Sequence, residues 1–186
     1  MTTPHLDLYD MAWLAGGRRR ASQTAVAALV GSGRVKVTDP TADLQAVGGG
    51  ATHPVETAVL DALGTRGHRG IETVVFLVRE DPRLDAVEER LVRAGLLRRG
   101  RLASAVRSPL TRAGRRALRA LREHADARPG SVATAEVALH GLVRVPAGLP
   151  AALAERPPSH WSFTRREPVD SDRARIHAGN FIGPVF

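Results

Sequence analysis

The sequence predicts a mainly α protein with short β-hairpins, arranged as tandem winged-helix-like halves followed by a C-terminal helix and an extended tail. Three observations carry this. The chain of 186 residues is 43% hydrophobic but only 4% aromatic, so its core must be built from Leu, Val and Ala, which favours helices over a large sheet. Apolar residues recur at helical spacing in blocks, and most blocks close on glycine. One pattern also occurs twice. Ala27-Ala28-Leu29-Val30-Gly31-Ser32-Gly33-Arg34-Val35 parallels Glu89-Arg90-Leu91-Val92-Arg93-Ala94-Gly95-Leu96-Leu97, each reading as helix, glycine stop, then hairpin.

In chain order, Leu6 to Ala15 predicts a first helix, with Leu6, Met11, Trp13 and Leu14 apolar and Gly16-Gly17 stopping it. A second helix runs from about Arg18 to Val30, with Val26, Leu29 and Val30 inward. Val35 and Val37 alternate with Arg34 and Lys36, the pattern of a half-buried strand, and Leu44, Ala46 and Val47 return beyond the Thr38-Asp39-Pro40 turn. Gly48-Gly49-Gly50 reads as a joint. His53-Pro54 starts a helix whose stripe is Val55, Val59, Leu60 and Leu63. Ile71 to Val78 is short and rich in β-branched residues, which leaves helix and strand both open. Leu84, Val87, Leu91 and Val92 form a helical face closed by Gly95. Arg98 to Ser108 is a hairpin, and Pro109 to Glu123 a helix with Ala113, Ala117, Leu118 and Leu121 apolar. Ser131 to Val143 is one more helix. The implied organisation is a reduced winged-helix-like unit at 1–50, a fuller one at 51–127, a C-terminal helical segment at 128–154 and an extended tail at 155–186. The tail holds Trp161, Phe163, Phe181 and Phe186, four of seven aromatics, and so is expected to dock, on its own domain, a partner or a homodimer mate.

Composition narrows the function. With no cysteine, disulfides, thiolate metal sites and a Cys nucleophile are excluded. No targeting segment is visible at the N-terminus, and no apolar stretch approaches the roughly 20 residues of a membrane span, so a cytoplasmic protein without an integral membrane segment is expected. The seven histidines form no His-x-x-x-His pair, and no metal or other cofactor is expected. His124 and His140 could approach across neighbouring helices, but surface or capping roles suit them better. Gly31-Ser32-Gly33 lacks the later glycine of a dinucleotide loop, and Gly64, Gly67 and Gly70 lack the Lys-Ser/Thr of a phosphate loop. Glu56 and Asp61 read as solvated surface carboxylates more readily than as an acid–base pair. No catalytic signature emerges, and an enzyme is not the expected reading.

Charge is the strongest functional signal. The chain has 27 basic and 19 acidic residues, and between Arg98 and Arg122 lie nine arginines and no acid: Arg98, Arg99, Arg101, Arg107, Arg112, Arg115, Arg116, Arg119 and Arg122. The last five share one side of the predicted helix. Such a concentration implies a polyanion or an acidic protein face as partner. Lys36 is the only lysine, a bias typical of GC-rich genomes, so choice of Arg alone does not signal phosphate. A second candidate edge is Arg18, Arg19 and Arg20 with Gln23 and Thr24, residue types able to reach phosphates and base edges from a helix start. Asp85, Glu88 and Glu89 speak against the equivalent helix of the second half entering a groove.

Three blocks also carry a resemblance. Leu8-Tyr9-Asp10-Met11-Ala12-Trp13-Leu14-Ala15-Gly16-Gly17, His53-Pro54-Val55-Glu56-Thr57-Ala58-Val59-Leu60-Asp61-Ala62 and Ala135-Glu136-Val137-Ala138-Leu139-His140-Gly141 are similar, in order, to an actinobacterial family usually described as domain-containing membrane proteins. The likeness spans roughly residues 6 to 145 and implies a shared N-terminal module without an established activity or catalytic residues. Membrane segments of the kind seen in that family are not visible here. Leu91 to Arg99 and Pro109 to Arg116 further resemble the end of bacterial winged-helix regulators, which speaks to fold more than to DNA reading. The expected role is thus non-catalytic binding, of nucleic acid first, with an acidic protein partner or an anionic membrane surface as alternatives.

Overall fold

The computed structural model describes residues 6–38, 43–64, 68–98, 109–126, 133–143 and 145–154, all within the unit Met1–Glu155. Arg99, Arg101, Arg107, the segment 128–132 and the expected tail lie outside the described residues.

Helix α1 (Leu8–Gly31) has two arms. Asp7 caps it, taking the amides of Tyr9 and Asp10 at 2.8 and 2.7 Å, and Asp10 reciprocates on the Asp7 amide at 3.1 Å. The helix breaks where the glycine pair predicts. Gly17 takes φ 66°, ψ −155°, a conformation that a side chain would strain. Beyond the break the second arm is buried nearly all round, with Ala21, Ser22, Gln23, Thr24, Ala25, Val26, Ala27 and Leu29 all inside. Small residues let neighbours approach from every side. The hydroxyls of Ser22 and Thr24 are satisfied within the helix, donating to the carbonyls of Arg18 and Arg20 at 2.9 and 2.8 Å.

The hairpin of β1 (Val35–Thr38) and β2 (Asp43–Ala46) follows, in register Val35↔Ala46 and Val37↔Leu44. Val47, expected in the return strand, sits just outside it, half exposed. Helix α2 (Pro54–Leu63) is capped by His53, whose Nδ1 accepts the Val55 amide at 3.2 Å. Strand β3 (Arg69–Gly70) then pairs antiparallel with β2, so the sheet order is β1-β2-β3 and one sheet links the first hairpin to the second half. The ambiguous Ile71–Val78 stretch is helical. It forms α3 (Ile71–Arg79), because Val74, Val75 and Val78 make one buried helical stripe, a stronger demand than β-propensity.

Helix α4 (Arg83–Arg93) buries Leu84, Val87 and Leu91. Leu97 bridges Leu110, and the Arg98 amide donates to the Pro109 carbonyl at 2.9 Å, which joins the two ends of the expected hairpin. Helix α5 (Arg112–Asp126) and helix α6 (Ala133–His140) follow, then a short 3-10 turn at Ala151–Leu153. Gly141, at φ 82°, ends α6 earlier than expected. Helices α2 to α6 all pack on α1, and one core cluster runs from Tyr9 to Leu153. No described helix is long and apolar enough to cross a membrane.

Candidate nucleic-acid interface

The orientation of α5 is fixed at its start. Thr111, the residue before it, takes the Gly114 amide on Oγ1 at 3.0 Å and so caps the helix. The same hydroxyl donates to the Gly95 carbonyl at 2.7 Å, and the Thr111 amide donates to the Leu96 carbonyl at 3.0 Å. Gly114 lies directly on the Leu96 carbonyl, where a Cβ would collide with the oxygen. Gly114 therefore occupies the inward position that the sequence assigns to Ala113, and Ala113 is exposed. Leu118 is buried below, with Ala117, Leu121 and Ala125 packed against the core.

With that side held down, Arg112, Arg115, Arg116, Arg119 and Arg122 all point out and are exposed. Arg112 to Arg122 spans about 15 Å of helix at 1.5 Å per residue. Four of these side chains, Arg112, Arg115, Arg116 and Arg119, line a shallow depression together. A second groove, lined by Leu110, Arg115, Leu118, Arg119, Arg122 and the acid Glu123, lies beside it. Arg115 donates from Nη1 to the Leu110 carbonyl at 2.9 Å.

Most arginines earlier in the chain are engaged differently. Arg18 pairs with Asp85, lies 3.6 Å from Glu88 and donates to the Arg79 carbonyl at 3.2 Å. Arg19 reaches Glu72 at 3.5 Å, Arg79 Glu80 at 2.9 Å, and Arg83 Asp61 at 2.5 Å. Arg34 lies 3.5 Å from Glu56, and Arg90 grips Asp7 and Asp10 at 2.7 and 2.8 Å. Among the described residues, none of the five outward arginines of α5 is in an ion pair.

Of the expected reading edge at Arg18, Arg19, Arg20, Gln23 and Thr24, the last two are not at the surface, while Arg19 is exposed. Gln23 and Thr24 are 3% and 0% exposed, inside the arm of α1 that every other helix covers. Arg18 and Arg19 spend their charge on carboxylates of α4 and α3, and the guanidinium of Arg20 lies over Gly141. Arg98 is half buried at the base of the expected hairpin.

A second polar cluster was missed from sequence. Glu56, expected at the surface, is 6% exposed. Its Oε1 accepts the Tyr9 hydroxyl at 2.7 Å, and its Oε2 accepts the Thr52 amide and hydroxyl at 2.8 and 2.9 Å. Tyr9 stacks on His53 with ring centroids 4.2 Å apart, and His53 Nε2 lies 3.7 Å from Asp7. Burial alone would push the Glu56 carboxyl up, but hydrogen bonds from Thr52 and Tyr9, with Arg34 nearby, outweigh it and hold the group below its ordinary value. Asp7 behaves likewise, burial being outweighed by His53, the Asp10 amide and Arg90. Burial and the Glu56 carboxylate together push the Tyr9 hydroxyl far up, so it stays a donor. Arg90 loses some basicity to burial and regains more from Asp10 and Asp7. These bonds tie the starts of α1 and α2 to the end of α4. The Asp7-x-x-Asp10 cap signature was the available clue, but nothing local names its distant partners.

Among the described residues, no group of three or more His, Asp or Glu is gathered closely enough to hold a metal ion. Compared with known proteins, the chain matches no family model, no curated protein and no solved structure.

Proposed function

We propose that this protein acts by binding, without catalysis, and that its partner is a nucleic acid held on the arginine face of α5. One contrast carries the reading. Arg18, Arg19, Arg34, Arg79, Arg83 and Arg90 meet carboxylates of the same chain, whereas the five on α5 are exposed and, among the described residues, in no ion pair. Like charges on one helix repel, so the arrangement costs stability unless an external anion answers it. In sequence, Arg98, Arg99, Arg101 and Arg107 precede this helix and raise the net charge of the segment.

The order α2, β3, α3, α4, Leu97–Leu110 bridge, α5 suits the winged-helix-like reading. The helix that would enter a groove in that scheme is α4, and it is acidic; Arg18 occupies its Asp85 and Glu88. Contact therefore falls to α5. Peripheral attachment to a membrane fits less well, because a helix lying in a bilayer surface needs its apolar side free, and that side of α5 faces the core. The three blocks similar to the actinobacterial family then serve as scaffold around α1.

The test is fluorescence anisotropy of a labelled duplex titrated with the full chain. The double variant R115Q/R119Q is expected to weaken binding by about tenfold or more at low salt, since each phosphate contact releases counterions. The R79Q control, whose partner is Glu80, should bind as wild type. Binding of polyglutamate with no binding of nucleic acid would transfer the face to an acidic protein partner and overturn the proposal.

A further inference from the structure

We infer that the α5 face recognises the backbone of a nucleic-acid duplex by charge density, without reading base sequence; this rests on the nucleic-acid reading above. The first support is the set of exposed residue types. From Arg112 to Glu123 the outward positions hold Arg, Ala and one Glu. Arginine can reach the guanine edge, but the Asn, Gln, Ser and Thr that discriminate the other bases are missing from these positions. Arginine alone gives strong, position-tolerant contact with phosphate.

The second support is that α5 itself offers no stacking platform. Single strands are held by aromatic rings beneath the bases together with a basic track. Helix α5 contains no aromatic residue. Of the described aromatics, Tyr9 and Trp13 are buried, and the exposed Phe76 belongs to a different helix, α3, with Arg79 over its ring.

The strip also has a defined end. Glu123 is exposed and follows Arg122, beside the groove lined by Arg119 and Arg122, where it would meet phosphate with a like charge.

The experiment titrates the full chain against two duplexes of unrelated sequence and one single strand of the same length, between about 50 and 200 mM salt. The expected result is equal affinity for the two duplexes within about threefold, and weaker binding of the single strand by about tenfold. The slope of log K against log salt should be no steeper than roughly −4.5 if only these five contacts act, and should shrink by about 0.9 for each of Arg115→Gln and Arg119→Gln. Glu123→Gln should tighten duplex binding, a gain that a purely structural role for α5 would not produce. A single strand bound as tightly as duplex, a tenfold preference for one duplex, or no change in slope on arginine removal would overturn the inference while leaving nucleic-acid binding intact. Failure to bind any nucleic acid would overturn both.

Discussion

The Tyr9 hydroxyl donates to Glu56 Oε1 at 2.7 Å, joining the first turn of α1 to the first turn of α2 across 47 positions of sequence. Removing that hydroxyl leaves the ring and its stack on His53 in place but takes one donor from a buried carboxylate. Tyr9→Phe is expected to cost about 1–2 kcal/mol, read as a lower urea midpoint with unchanged slope. No shift in the midpoint would show that the bond contributes nothing net.

Acid should weaken the fold through the same cluster. Glu56 and Asp7 both ionise more readily when folded than when unfolded. Their contribution is therefore present above the ordinary carboxylate range, near pH 4, and is lost as pH falls through their depressed folded values. Urea midpoints measured from neutral to acid pH should fall below about pH 4.5, and Glu56→Gln should flatten part of that decline. An unchanged acid profile in the variant would remove Glu56 from the account.

Gly114→Ala tests how α5 is seated. Alanine improves helix propensity by about 1 kcal/mol, but its Cβ must displace the Leu96 carbonyl, a backbone atom that already accepts from Thr111. Overpacking should win, with a net loss of about 2 kcal/mol in thermal or urea unfolding. A stabilised variant would mean that the helix does not rest on Leu96.

Two arginines with similar-looking ion pairs should differ in weight. Arg18 pairs with Asp85 and Glu88, both well exposed, so Arg18→Gln is expected to cost under about 1 kcal/mol. Arg90 neutralises Asp10, whose side chain is 5% exposed, and also binds the cap residue Asp7. Because Arg90 is itself partly in water, Arg90→Gln should cost about 2 kcal/mol, less than a fully buried pair. Equal midpoints for the two variants would contradict this ranking.

Most of the mainly α fold was legible because its signals are local. The Gly16-Gly17 break, the His53-Pro54 start and the stripe of Leu84, Val87 and Leu91 all appear where the sequence puts them. What misled was burial that depends on distant elements. Ser22 to Thr24 looks like part of an exposed polar turn, yet five helices close over α1 and bury it. Glu56 looks like a surface acid, yet Tyr9 and Thr52 satisfy it inside. The pairing of β3 with β2 was invisible because two residues are too few to show a period. The arginines of α5 were readable because a one-sided helix declares its outer face in sequence alone.

Among the described residues, β1 stands at the rim of its sheet, with a consequence for handling the protein. A strand with one side unpartnered can template the addition of another chain. Here the rim is only four residues long, and it carries the chain's single lysine, Lys36, exposed in its middle. A second molecule stacking edge to edge would bring two ammonium groups together, so the chain guards against self-aggregation at a spot distinct from its arginine helix. Neutralising that amine, by acetylation or Lys36→Val, should make concentrated solutions turn cloudy sooner.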